Sequence, residues 1–151
     1  TNLRIYLMLI IKNLAIEMAE ACSRLHAMCD QTYWSSHEYE KLISRMQGVG
    51  CIDDKDVLRG FLLFQGIDDY IDVVYICVDP SFRRMKLGKR MMEHIFDKKR
   101  GADVFIEVNQ GNIDALNFYY SLDFMLIGKR LNYYKDNAGS NDAMVLKRNR
   151  I

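Results

Sequence analysis

Apolar positions along the chain switch between unbroken runs and a spacing of three to four, and each switch marks a predicted element. Leu3 to Ile11 is apolar apart from Arg4 and rich in large and β-branched side chains, which predicts a first strand. Leu14, Met18, Cys22, Leu25 and Cys29 then recur at helical spacing, so Ala15 to Met28 reads as an amphipathic helix. Ser35 followed by Glu38 is a capping-box pattern. It opens a second helix to about Gln47, with Gly48 and Gly50 as stops. Val57 to Phe64 and Ile71 to Val78 are apolar runs joined through Gly66, Asp68 and Asp69, an antiparallel pair. Asp79-Pro80 breaks the second run, and Leu87, Met91, Met92, Ile95 and Phe96 define a helix to about Lys99, ended by Gly101. Val104 to Val108 is a short strand, Asn112 to Ser121 a helix and Phe124 to Tyr134 a strand. A turn at Asn137-Ala138-Gly139-Ser140 leads to a last strand from Ala143 to Arg148. The order β-α-α-β-β-α-β-α-β-β predicts an α/β (α+β) fold, a mixed sheet covered by helices.

Composition narrows the class without naming a function. A chain of 151 residues, 50% apolar and 27% charged, buries one ordinary core and is not a disordered segment. With no repeat, no linker-like stretch and one proline, residues 1–151 read as a single domain. Lys+Arg at 21 against Asp+Glu at 20 gives no field of one sign for nucleic acid or an anionic membrane, so anion binding has to be local. Cys22, Cys29, Cys51 and Cys77 contain no CxxC pair and no His at ligand spacing, so neither a metal site nor a disulfide framework is expected. They read as small buried groups in a reducing compartment, which places the chain in the cytoplasm. The apolar core from Tyr6 to Ile11 is too short for a signal peptide or a bilayer span. His26, His37 and His94 belong to no motif.

Between Arg83 and Arg90 five of eight residues are cationic, at a junction from strand into helix. Free amides at a helix start, the positive dipole end and neighbouring guanidinium groups together suit a diphosphate. A charge run of this kind is also what a solvated face carries, but Gly88 would let a phosphate approach the backbone. The stretch Val78-Asp79-Pro80 followed by Arg83 and Gly88 resembles the signature of the GNAT superfamily of N-acetyltransferases. Lys86 stands where that family prefers its first glycine. Because lysine resists positive φ, a helical conformation is expected there, with its charge near the phosphates. The resemblance implies a coenzyme A pyrophosphate on the amides of Arg84, Met85, Lys86, Leu87, Gly88 and Lys89, beside Arg83. It also implies a pantetheine arm paired with the main chain of Ile76, Cys77 and Val78.

Glu107 lies inside the apolar strand Val104 to Val108, and a carboxylate there needs a partner or a chemical task. Asn112, Ala115 and Tyr119 are three and four apart, so the spacing puts them on one helix face. A tyrosine on such a face is equally a core residue. Together Glu107-Val108, Asn112, Ala115, Tyr119 and Phe124 look like the GNAT pattern that joins this strand to this helix, with Asp123 replacing a glycine. Within the superfamily the chain is most similar to the RimI-type ribosomal-protein-alanine N-acetyltransferases, clearly over Val74 to Leu146. That likeness implies the GNAT fold, with a mostly antiparallel sheet and about four helices. It implies acetyl-coenzyme A as cosubstrate without a metal, Glu107 as general base, Tyr119 as general acid and Asn112 as a cofactor contact.

Arg130-Leu131-Asn132-Tyr133-Tyr134 resembles the last hairpin of the same enzymes, where tyrosines line the peptide groove, although aromatic strand ends are also ordinary. Tyr133, Tyr134 and, more weakly, Trp34 are therefore the expected acceptor contacts. The expectation is acetyl transfer to the N-terminal amine of a protein, such as a ribosomal protein, by a monomer or weak dimer. The alternatives are a small amine or lysine as acceptor, or a coenzyme A-binding module without catalysis.

Overall fold

The computed structural model describes residues 8–136 and 139–150. They form seven strands: β1 (Ile10–Asn13), β2 (Gln47–Ile52), β3 (Leu58–Ile67), β4 (Tyr70–Val78), β5 (Asp103–Asn109), β6 (Met125–Asp136) and β7 (Gly139–Arg148). Four α-helices accompany them among the described residues: α1 (Ala19–Cys29), α2 (Ser36–Arg45), α3 (Leu87–Lys98) and α4 (Ile113–Ser121). Short 3-10 turns at Ile16–Met18 and Pro80–Met85 precede α1 and α3. The strands hydrogen-bond in the order β1-β2-β3-β4-β5-β7-β6. No helix among the described residues is long and apolar enough to cross a membrane. The chain divides into two compact units, one holding residues 1–65 and 74–98, the other residues 66–73 and 99–151.

In the first unit β1 pairs antiparallel with β2, and β2 with β3. Two expectations change here. Among the described residues strand structure begins at Ile10, and Met8, expected within the strand, is helical; the expected strand's residues 3–7 lie outside the described residues. Residues 47–52, where a helix was expected to end at about Gln47 with Gly48 and Gly50 as stops, form a strand that the sequence pattern hid. Gly48 and Gly50 are strand residues because a Cβ on Gly48 would meet Leu14 Cδ1 at 2.6 Å, and one on Gly50 would meet Leu58 Cδ1 at 2.8 Å. Their missing side chains are the floor on which Leu14 and Leu58 pack. Gly60 faces the Cys77 carbonyl and Gly66 the Tyr70 carbonyl, the opposed running of a β3–β4 hairpin. Gly66 adopts φ +141°, and a Cβ there would come within 2.3 Å of that carbonyl, so the turn needs glycine.

Helix α2 starts as its capping pattern predicts, with Ser35 Oγ accepting from Glu38 N at 3.1 Å. The core of this unit gathers Ala19, Cys22, Leu25, Tyr39, Ile52, Leu58, Phe61, Leu63 and Cys77. At its centre lies His26, only 2% exposed and ringed by Trp34, Tyr39 and Tyr75 at centroid distances of 5.0, 5.8 and 4.3 Å. Trp34 N donates to its Nδ1 at 3.3 Å, so that nitrogen accepts, and the Tyr39 hydroxyl donates to it at 2.8 Å. Burial lowers the His26 pKa, against the pull of Asp30, and keeps the ring neutral as the acceptor geometry requires.

The second unit contains the first half of β4, which pairs parallel with β5 from Tyr70↔Asp103 to Val73↔Ile106. β5 pairs antiparallel with β7, and β7 with β6. Alternate β5 residues Val104, Ile106 and Val108 are buried, which turns Asp103, Phe105 and Glu107 to the other face. Between Arg130↔Ala143 and Tyr134↔Asn141, β6 advances four residues while β7 advances two, so β6 bulges. Asn132 takes φ +54° inside that bulge, and its N–H donates to Asp142 Oδ1 at 2.9 Å. In the expected turn, residues 137 and 138 lie outside the described residues, while Gly139 and Ser140 already belong to β7.

Candidate active site

The basic loop is organised from beneath by Asp79. Its side chain accepts from Ser81 N at 2.9 Å and Ser81 Oγ at 2.7 Å, which caps the 3-10 turn, and its other oxygen accepts from Arg59 Nη1 at 3.1 Å. Arg59 also holds Asp53 through Nε at 3.0 Å and lies 4.6 Å from the Phe82 ring centroid. The first bond within α3 runs from Arg90 N to Lys86 O, so the N–H groups of Leu87, Gly88 and Lys89 have no helical acceptor. Arg83, Arg84, Lys86 and Lys89 are exposed around them, and the first turn of α3 carries no acidic residue. Free amides and a positive dipole end thus lie beside exposed cations, of which Lys89 reaches Glu93 Oε1 at 3.8 Å, and the surface attracts anions locally.

One detail reverses an expectation. Lys86 is not helical but left-handed, at φ +57° and ψ +35°. The loop keeps the glycine-like backbone with a lysine in it, at a steric cost of about 1 kcal/mol. Replacing Lys86 with Gly is therefore expected to raise stability by up to about 1 kcal/mol, read as a higher urea midpoint. A lower midpoint would show that the lysine stem contributes packing that outweighs the strain.

In the second unit the face of β5 opposite the core carries Glu107, which pairs with Arg130 on β6 through Nε–Oε1 at 2.6 Å. The pair is partly exposed, 60% for the arginine side chain and 31% for the glutamate. Two neighbours sense the Glu107 charge. Burial first, and then Glu107, push up the Asp72 carboxyl; burial, then Glu107 and Tyr133, push up the Tyr134 phenol. Tyr134 packs edge-on against Tyr133 at 5.1 Å, so the hairpin tyrosines and the candidate base share one neighbourhood. A surface cavity of about 390 Å³ in this unit is lined by Asp69, Tyr70, Asp72, Asp103, Phe105 and Arg150. Of its carboxylates, Asp103 is taken by Arg150 at 3.2 Å and Lys147 at 3.6 Å.

Tyr119 is 3% exposed between Phe118 and Phe124, and burial pushes its phenol well above the ordinary range. It is therefore protonated at neutral pH, the state a proton donor needs. Asn112 does not share a helical face with it. Asn112 is the N-cap of α4, and its Oδ1 accepts from Ala115 N at 3.1 Å, which commits that oxygen to the helix. Asp123, which stands in place of a glycine, adopts φ +68°, in the left-handed region that aspartate tolerates better than most residues. Trp34 is half-buried in the aromatic ring around His26. Sequence reasoning missed Arg130 as the partner of Glu107 and Arg59 as the anchor of the loop. Both pairings link residues distant in sequence, and the only hint was an arginine beside a tyrosine pair in one case and inside an apolar strand in the other.

Residues 16–124 match the Acetyltransferase (GNAT) family. That is most of the chain, and the protein belongs to this family. Among curated proteins it is 35% identical over 92 residues to the [Ribosomal protein bS18]-alanine N-acetyltransferase of Escherichia coli K12, covering 59% of this chain and 62% of that protein. It is 34% identical over 77 residues to the N-alpha-acetyltransferase RimI of Mycobacterium tuberculosis, covering 51% of this chain and 48% of that one. The matched region thus spans less than two thirds of these relatives. Among solved structures, the ribosomal-protein-S18-alanine N-acetyltransferase from Escherichia coli superposes with a TM-score of 0.84 at 26% identity, covering 93% of this chain and 92% of that one. Ard1 from Thermoplasma volcanium, at 20% identity and a TM-score of 0.84, shares the fold.

Proposed function

We propose that the protein transfers an acetyl group from acetyl-coenzyme A to the α-amine of a protein N-terminus, with a ribosomal protein as the leading acceptor. The observation that carries the acceptor assignment is the neighbourhood of Glu107: a partly exposed carboxylate paired with Arg130 and within electrostatic reach of Tyr134. A base set beside phenols able to hydrogen-bond an extended backbone suits a peptide end. The similarity to two N-terminal acetyltransferases supports the same reading.

Acetyl-coenzyme A would supply an activated thioester. Arg83, Arg84, Lys86 and the amides of Leu87, Gly88 and Lys89 would hold its diphosphate, and the main chain of Ile76, Cys77 and Val78 its pantetheine arm. Glu107 takes the proton of the attacking amine, directly or through a water. The buried phenol of Tyr119 protonates the departing thiolate. An α-amine titrates near about 8 and a lysine amine near about 10.4, so at neutral pH the former is unprotonated hundreds of times more often. A single carboxylate is then enough base.

A second reading, acetylation of a small cationic amine, has one observation in its favour: the cavity walled by Asp69, Asp72, Tyr70 and Phe105. Mass spectrometry after incubation with acetyl-coenzyme A and peptides beginning with Ala, Ser or Met, with polyamines and internal lysines as competitors, decides between them. Acetylation of the peptide α-amines is expected. Product confined to polyamines or lysines would remove the N-terminal assignment.

A further inference from the structure

We propose that Cys29 and Cys77 are a modification site, a dithiol that peroxide converts to an intramolecular disulfide. The two sulfurs lie 2.9 Å apart, although the residues are 48 positions apart in sequence. Cys29 closes α1 and Cys77 lies in β4, both within the first unit. Each thiol also points at a carbonyl of the other's element: Cys29 at Val78 O and Cys77 at Leu25 O, both at 3.5 Å. A disulfide bond is about 2.05 Å long, so the sulfurs need to close by only about 1 Å.

The two cysteines divide the chemistry. Cys29 is half-buried and so open to solvent-borne oxidant, and Arg83 Nη2 lies 3.7 Å from its sulfur. Cys77 is 4% exposed, and burial raises its thiol, so Cys29 reacts first. Its thiolate attacks one oxygen of the peroxide; the O–O bond breaks, a sulfenic acid forms, and the leaving hydroxide takes a proton to become water. The Cys77 sulfur then attacks the Cys29 sulfur. The S–O bond breaks, the S–S bond forms, and the second water departs with the Cys77 proton. Two thiols are oxidised and the peroxide is reduced to two waters. Cys22 and Cys51 are fully buried, and burial pushes the Cys22 thiol up to about 12, so neither competes.

The new bond would tie the end of α1 to β4 beside Ile76 and Val78. Its effect on activity rests on the proposed role of that strand in holding acetyl-coenzyme A; the disulfide itself does not.

The test exposes the 151-residue chain to hydrogen peroxide and maps its thiols by non-reducing digestion and mass spectrometry. A Cys29–Cys77 cross-linked peptide is expected, with loss of two hydrogens in intact mass, two titratable thiols remaining after denaturation, and full reversal by dithiothreitol. Cys29→Ser, at the half-buried position, should fold and abolish the cross-link, and Cys77→Ala should do the same. Cys29 stopping at sulfenic or sulfinic acid, linkage between two chains, or a bond to Cys22 or Cys51 overturns the proposal. Relative to the reduced enzyme on its own acceptor, oxidation is expected to cut turnover at least about tenfold, because the new bond constrains Cys77 between the residues proposed to hold the pantetheine arm and small misplacements at a reacting site are costly. A mapped disulfide with unchanged turnover removes the effect on activity. A reduced enzyme inactive on every amine overturns the proposed function and leaves the mapped disulfide standing.

Discussion

Glu107→Gln retains acetyl-coenzyme A binding, is folded, and turns over about 100-fold or more slowly than the parent enzyme: this is the expected result of removing the base by an isosteric change. None of the residues proposed to hold the diphosphate is altered by the substitution, so cofactor affinity is expected to stay as it was. Folding stability should move by no more than about 1 kcal/mol, because the Arg130 pair that it breaks is partly exposed. Tyr119→Phe is the companion variant. It deletes one hydroxyl, keeps the ring between Phe118 and Phe124, and is expected to lose turnover on the same scale. Calorimetry with acetyl-coenzyme A and steady-state rates on an N-terminal peptide separate binding from chemistry. Parental turnover in both variants would remove the assignment of base and acid while leaving the family membership intact.

The second large effect concerns the loop's foundation. Arg59→Leu is expected to cost about 3 kcal/mol, because it strands Asp53 and Asp79, whose side chains are 9% and 7% exposed, without their common cation. The sign of the pH dependence follows from the carboxylates. Burial pushes both up, but for Asp53 the N–H groups of Val57 and Lys55, and for Asp79 the hydroxyl and N–H of Ser81, together with Arg59 in each case, hold them below the ordinary 3.8. Their contribution is therefore complete above the unfolded value near 3.8 and lost as pH falls through the lower folded values. The gap between the parent and Arg59→Leu should be widest near neutral pH and shrink toward about pH 3, measured by urea unfolding at both. A gap independent of pH would mean that the arginine acts by packing on Phe82 rather than by charge. The same variant should also weaken coenzyme A binding, since Asp79 caps the turn that carries Arg83 and Arg84.

What could be read from the sequence was what local chemistry dictates. Ser35 and Glu38 announced α2, Asp79-Pro80 the end of β4, and the spacing of Leu87, Met91, Met92 and Ile95 the buried face of α3. The apolar pattern also put Glu107 on a strand and Tyr119 on a helix, where the structure has them. Two kinds of feature stayed hidden. Glycine in β2 signals a break by composition, yet Gly48 and Gly50 extend the sheet because Leu14 and Leu58 occupy the space above them, a tertiary fact. Lys86 at positive φ, the arginine between Asp53 and Asp79, and the histidine inside an aromatic ring likewise depend on groups brought together only by folding. Asn112 was misplaced for a simpler reason: three-and-four spacing does not distinguish the first helical residue from the cap before it.

The bulge in β6 separates two tasks along a single hairpin. Glu107 stays opposite Val145 by a ladder that continues on both sides of it, whereas the stretch from Leu131 to Tyr133 is excess length pinned through Asn132 to Asp142. Insertions or deletions there re-aim the tyrosines without displacing the carboxylate. On the proposed function, changes confined to that short detour would alter the choice of acceptor while leaving Glu107 and Tyr119 in place.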